Sequence, residues 1–485
     1  MKKIICLFLC AFFALSLLSS CSDTPITATP SPTVSISPSP SAPKTERYIP
    51  DKLETGYDFD GAEINFIMCG DNNVLRSIHL PEGDDETNVA NVCTAFRNKQ
   101  IKKVLNINIG KSLVVSPVEM TEYMRVFFTS PNKEFDIVGA YERYDLGLAY
   151  SEEEQFLDFN TIEEKDMHMD LDAPYWDQNA NEALAFNGKN YWVTGDISYE
   201  RIRNTLVSFV NKQLWLDNAD KIRAAIGYDD LYKLVCDGKW TYETVSKLGG
   251  ISMFATGSVK NTFPSILMSG EGITFSNGIE RSDFNADALV DFQNAVNLIF
   301  SDNGIFKNEI IDRFEKVTPV EKFAKGSSLI TFGRVNQSES LVNMKEDYYI
   351  APLPKSSESQ PYRTSSQGFN NVFGVLKSCE NVSAATATLE IMAYSAKELQ
   401  NLEYVLSSVP LCYCHDSDDM KDLAIYSINN VEYVTDIAIS CEDMLDEGIT
   451  VFVNHNIFND DFKSLLIDKK ASFESEFEKI KETFK

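Results

Sequence analysis

Histidine is scarce in this chain, with 4 in 485 residues, and His79, His168, His415 and His455 lie far apart. No two of them have the spacing that places a pair of metal ligands on one helix face, so an HExxH-type zinc site is excluded. The ligand-rich run Cys412-Tyr413-Cys414-His415 has no second half at zinc spacing. A P-loop, a GxGxxG turn and a GxSxG elbow are also missing, which removes the motif-borne nucleotide and serine-hydrolase chemistries. No cofactor is implied. Positive charge is short as well: 44 Lys and Arg against 72 Asp and Glu give a net charge of −28. That excess is spread along the chain, which argues against nucleic acid or an anionic lipid surface as a partner and favours a solvated monomer. The acidic stretch Leu157 to Trp176 lacks calcium-loop spacing and a turn glycine, so it reads as a solvated face. Paired carboxylates for glycoside hydrolysis stay open, because their separation is set in space and not in sequence.

What is present begins with Lys2 and Lys3 followed by an apolar run from Ile4 to Leu18. The run is too short for a stable membrane span and has the layout of a targeting peptide, residues 1–20. Leu18-Ser19-Ser20-Cys21 resembles the bacterial lipobox. That resemblance implies that Cys21 becomes the first mature residue and carries the lipid, at the outer face of the cytoplasmic membrane. Residues 21–54 hold repeated Ser-Pro and Thr-Pro steps with few large apolar side chains, so they form an extended tether. Of the ten cysteines, Cys6 and Cys10 fall in the leader. Seven follow Cys21, an odd number without framework spacing, and they read mainly as small buried hydrophobes with pairing left open.

A chain of this length exceeds one ordinary core, so two domains are expected. Ala62 to Cys69 predicts a strand ending in the polar turn Gly70-Asp71-Asn72-Asn73. A helical stripe through Val89, Val92, Cys93, Phe96, Val104 and Leu105 follows, then a strand at Leu113 to Val115, a helix near Met120 to Phe128, and a strand at Phe135 to Gly139. This βαβα alternation implies a mostly parallel sheet covered by helices. Tyr141 and Arg143 follow the last strand, at the edge where open α/β sheets present ligand contacts. Asn187-Gly188 between apolar runs predicts a tight hairpin. Thr194 to Tyr199 then joins it to a strand at Thr205 to Val210, making Asp196 and Tyr199 cleft candidates. Trp240 reads as structural, just before a helix capped by Thr241. Helices are also expected over Asn285 to Phe300 and Asp461 to Lys485.

Phe323 to Lys355 reads as a helical turn, a strand, a helix, and a second strand stopped by Pro352 and Pro354. Its Phe-x-x-Gly-x-x-x-Ile segment and its Tyr-x-Ile-x-Pro-Leu-Pro-Lys segment (Tyr348 to Lys355) resemble the extracellular solute-binding proteins of carbohydrate-type ABC importers, the maltose-binding-protein-like family 1. The resemblance implies an α/β, two-lobe, periplasmic-binding-protein-like fold of type II with an interlobe cleft and hinge crossings. The corresponding domains are 55–198 with 331–380 as lobe one, and 199–330 with 381–485 as lobe two. Leu329 to Gly333 would cross between lobes with Gly333 as a hinge, and Tyr348 to Pro354 would return to lobe one. The implied activity is capture of a small solute, a mono- or oligosaccharide, for an ABC permease, with no catalysis. The ligand-binding candidates are Asp71, Asn72, Tyr141, Arg143, Asp196, Tyr199, Phe332, Arg334, Phe369 and Asn370. The last two come from Gln367-Gly368-Phe369-Asn370-Asn371, where polar and aromatic groups precede a strand. A lipid-anchored glycoside hydrolase and a carbohydrate-binding surface protein without a transport role are the alternatives.

Overall fold

In the computed structural model the two-lobed part of the chain falls within Arg47 to Lys485. The structure describes residues 49–71, 77–78, 89–131, 133–143, 145, 155–249, 263–300, 319–326, 328–396, 418–440 and 448–483. The leader, Cys21, nearly all of the tether, Asn72, and the Cys412 to His415 run lie outside the described residues. Eleven strands occur among those that are described. They are β1 Glu63–Cys69, β2 Asn108–Val115, β3 Ile137–Tyr141, β4 Leu206–Asn211, β5 Ser276–Asn277, β6 Arg281–Ser282, β7 Ile330–Arg334, β8 Tyr348–Ala351, β9 Arg363–Thr364, β10 Asn371–Val375 and β11 Glu432–Tyr433.

Two sheets organise the body. The first has the order β10-β3-β1-β2: β1 runs parallel to both β2 and β3, and β10 closes it antiparallel to β3. Its strands are apolar on both faces because both faces are covered. Helices Val89–Leu105 and Val382–Ser395 pack on one side, where Ile64, Phe66 and Met68 meet Ala384, Ala387 and Ile391. On the other side Ile67 and Cys69 join Met120, Met124 and Phe127 of helix Met120–Thr129. The free edge of β10 is met by Val193, which exchanges backbone hydrogen bonds of 3.0 and 2.8 Å with Phe373. The second sheet, β7-β4-β8, is antiparallel throughout, and helix Asp418–Asn429 lies on it, with Ser427 Oγ donating to the Ile350 carbonyl at 3.0 Å. The C-terminal helix Phe462–Thr483 buries Phe462, Leu466, Phe473, Phe477 and Ile480 against this second half. We refer to the halves as lobe one and lobe two.

The course of the chain differs from the sequence reading in three places. β7 pairs with β4 residue for residue, from Leu206 opposite Arg334 to Val210 opposite Ile330, so Leu329 to Gly333 stays in lobe two. β8 pairs with the other edge of β4, so Tyr348 to Pro354 belongs there too. Helix Val382–Ser395 packs on lobe one, where the buried Glu390 accepts from the Asp170 amide at 3.0 Å and the Tyr175 hydroxyl at 2.7 Å. The reason is common to all three. A two-faced apolar strand or helix does not reveal from its own composition which sheet will cover it. The described links between the lobes are 197–206 and 364–371. The second holds two consecutive residues at positive φ, Gln367 at 53° and Gly368 at 79°. Gly333 does no such service: a Cβ there would press on Gln337 Oε1 and on Val320 Cγ2 at 3.0 Å, so it permits close packing.

Candidate functional site

The carboxyl ends of β1 and β3 and the start of β10 share one sheet edge, and the two links leave from it. The turn after β3 is knitted to the second link: the Glu142 amide donates to the Asn370 carbonyl at 3.3 Å, and the Arg143 amide to the Gly368 carbonyl at 3.0 Å. This fixes Tyr141, Arg143 and Phe369 together. The Arg143 guanidinium lies 5.4 Å from the Phe369 ring centroid, Arg334 of lobe two lies 4.6 Å from it, and Tyr141 meets it edge-on at 6.3 Å. Cation–π contacts of this kind contribute about 0.5–2 kcal/mol each, more as water is excluded. Arg334 also donates from Nη2 to Gln367 Oε1 at 2.8 Å.

Beneath this stack lies a buried polar cluster on the first link. Helix Glu200–Arg203 places Glu200, which is 2% exposed, against Arg203 Nη1 at 2.5 Å, the Tyr141 hydroxyl at 3.1 Å and Asn204 Nδ2 at 3.1 Å. Arg203 also reaches Asp71 of lobe one at 3.7 Å and Glu339 of lobe two at 3.6 Å. Burial pushes the Glu200 carboxyl upward, and the Arg203 charge pulls it part of the way back. Tyr141 is raised by burial first and by the Glu200 charge second, so it stays a hydrogen-bond donor. Asp145, buried beside Cys69 and bonded by Thr121 Oγ1 at 3.1 Å, is pushed up to about 6 by burial.

The space between the lobes runs outward from the second link. A small inner cavity of about 20 Å³, room for about one water, lies between Glu142, Ser269, Ser365, Gln367, Gly368 and Asp436. Thr435 lines both this cavity and an outer groove of about 520 Å³. Lobe one supplies Asn179, Glu182 and Gly188 to the groove, and lobe two supplies Asn277, Glu280 and Asp283. Hydroxyl, amide and carboxylate groups line it, and it is large enough for a small ligand. Among the described residues no group of three or more His, Cys, Asp or Glu is arranged to hold a metal ion.

Of the predicted residues, Asp71, Tyr141, Arg143, Arg334 and Phe369 are brought together at the lobe junction. Asn370 stands beside them but spends its amide on Thr194 Oγ1 at 3.0 Å. Tyr199 is 4% exposed and precedes helix Glu200–Arg203. Phe332, 1% exposed, packs edge-on against Phe263 at 5.1 Å inside lobe two. Asp196 belongs to a separate cluster: it pairs with Arg201, whose guanidinium also lies 3.7 Å from Asp177 and 4.5 Å from the Tyr433 ring centroid.

The chain is similar to solute-binding proteins of known structure. One is an ABC substrate-binding protein, Lmo0181, from Listeria monocytogenes in complex with cycloalternan. It is 12% identical with a TM-score of 0.47, over 87% of this chain and 99% of that one. Another is the apo form of RafE from Streptococcus pneumoniae, at 12% identity and a TM-score of 0.49, over 87% and 100%. A third is the GacH receptor of Streptomyces glaucescens, at 11% and 0.46, over 87% and 98%. No family model matches the chain, and no curated protein does.

The groove residues were largely missed by the sequence reading. Ser276-Asn277-Gly278-Ile279 carries a hairpin turn signal of the same kind as Asn187-Gly188 and could have marked one wall. Nothing local to Thr435 or Asp436 announces a cleft, since their role depends on a lobe assembled from distant segments.

Proposed function

We propose that the protein is an extracellular solute-binding protein, anchored by lipid at Cys21, that takes a small carbohydrate between its lobes and delivers it to an ABC permease. The observation that carries the reading is a polar groove of about 520 Å³ whose walls come from two lobes built on separate sheets. Walls of that kind can close on a solute by rotation about the links, as binding proteins do. Hydroxyl, amide and carboxylate groups in the groove lining suit a ligand rich in hydroxyls. The leader, the lipobox-like Cys21 and the Ser/Thr/Pro-rich tether support placement at the outer membrane face. Calorimetry against a panel of mono- and oligosaccharides, with product analysis of the same mixtures, tests the proposal. Saturable binding without turnover is expected. Release of shorter sugars would replace it with a glycoside hydrolase, and failure of every sugar to bind would remove carbohydrate as the solute.

A further inference from the structure

Two turn tips, one from each lobe, touch across the outer groove. In lobe one, Phe186 and Lys189 exchange backbone hydrogen bonds of 3.0 and 2.9 Å around Asn187 and Gly188, whose φ angles are 52° and 72°. That is the geometry of a tight two-residue hairpin. In lobe two, β5 and β6 are joined through Gly278, with φ of 65°. The Asn187 backbone amide donates to Glu280 Oε1 at 3.1 Å, and a Cβ on Gly278 would stand 3.4 Å from the Ala183 carbonyl oxygen.

Each tip is held from behind by its own lobe. Asn181 Oδ1, on the helix before the first turn, accepts from the Thr194 amide at 2.7 Å. At the base of the second hairpin, Asp436 accepts from the Phe275 amide at 2.5 Å and from Ser276 Oγ at 2.6 Å. The supports are internal to the lobes, so rotation of one lobe against the other breaks the contact between the tips and leaves the supports intact.

We propose that these two tips form a latch: their contact holds the lobes together across the groove without solute, and it parts for solute to enter or leave. The inference rests on the groove being the solute site. Asn187→Asp keeps a residue that tolerates the left-handed turn and sets a carboxylate against Glu280. Asn187→Asp combined with Glu280→Gln removes the repulsion and keeps a side-chain oxygen that accepts from the backbone amide of residue 187. Small-angle scattering of the full chain without solute, at low salt, reads the lobe separation, with circular dichroism to verify folding. A larger radius of gyration is expected for Asn187→Asp, with return to the wild-type value in the double variant and at high salt. Identical scattering from all three folded proteins would overturn the latch. Because that readout needs no solute, a latch that responds while no sugar binds would count against the carbohydrate proposal alone.

Discussion

Replacing Arg203 by Met should strand the Glu200 carboxylate in a water-excluded pocket. Glu200 is 2% exposed and Arg203 is 7% exposed, and the pair lies at 2.5 Å. The further reaches of Arg203 to Asp71 and Glu339 involve side chains that are 57% and 47% exposed, so screening leaves them close to zero. Almost all of the loss therefore comes from the buried pair, and removing one partner of such a pair costs about 3–5 kcal/mol. For a body spanning Arg47 to Lys485, an unfolding entropy of about 2 cal/mol/K per residue converts this to roughly 3–6 °C in Tm. The double variant Glu200→Gln with Arg203→Met removes the stranded charge and keeps an acceptor for Tyr141 and Asn204, so it should recover at least half of the loss. The deficit also depends on pH. Without Arg203, burial acts unopposed and the folded-state pKa of Glu200 rises further above its unfolded value. The folded protein then holds the proton more tightly than the unfolded chain, so the deficit shrinks toward pH 5 and grows toward pH 8. Calorimetric melts at both pH values would refute this reasoning if Arg203→Met came within about 1 kcal/mol of wild type, or if its deficit were the same at both.

Glu390→Leu should cost at least about 3 kcal/mol, because the Asp170 amide, the Tyr175 hydroxyl, Trp176 Nε1 and Lys52 Nζ all converge on that carboxylate; urea unfolding followed by tryptophan fluorescence measures it, and a near-neutral result would remove the hub. Gly374→Ala should destabilise by about 1–3 kcal/mol, since a Cβ there would stand 2.9 Å from both Phe156 and Trp192 ring carbons; an unchanged Tm would show that these rings can give way. Asp145 and Asp436 are both raised to about 6 by burial, so their contribution falls as pH rises from about 4 to 6 and then stays flat. Asp145→Asn should therefore flatten the Tm–pH curve over that window, and a slope equal to wild type would contradict the assignment. Cys21→Ala should move the protein from the membrane fraction to the soluble fraction, and unchanged partitioning would count against lipidation.

Local signals in the sequence carried the elements well. The Asn187-Gly188 turn, the Thr241 cap accepting from the Thr244 amide at 3.2 Å, and the fully buried Trp240 bonded to the Pro352 carbonyl at 2.9 Å all appear as their neighbours predict. Assignment to lobes was less legible. β7, β8 and helix Val382–Ser395 each bury both sides, and pairing among distant segments decides which sheet receives them. The same limit applies to the site. Tyr141, Arg143 and Phe369 could be found because each lies next to a strand end on a recognisable edge. Asp196 sat in an equally suggestive loop and instead pairs with Arg201, five residues away, beside Asp177 of lobe one and the Tyr433 ring of lobe two.

The placement of β10 also sets a timetable for folding. Asn371 and Ala140, joined across the β3 edge, are 231 residues apart in sequence. A chain emerging at about 5–20 residues per second leaves that edge without its partner for roughly 10–50 s, while all the described strands of lobe two except β11 appear in between. Lobe one is thus begun first and completed late. Until β10 arrives, the open rim of β3 is the edge, among the described strands, where mispairing with another copy has the longest opportunity.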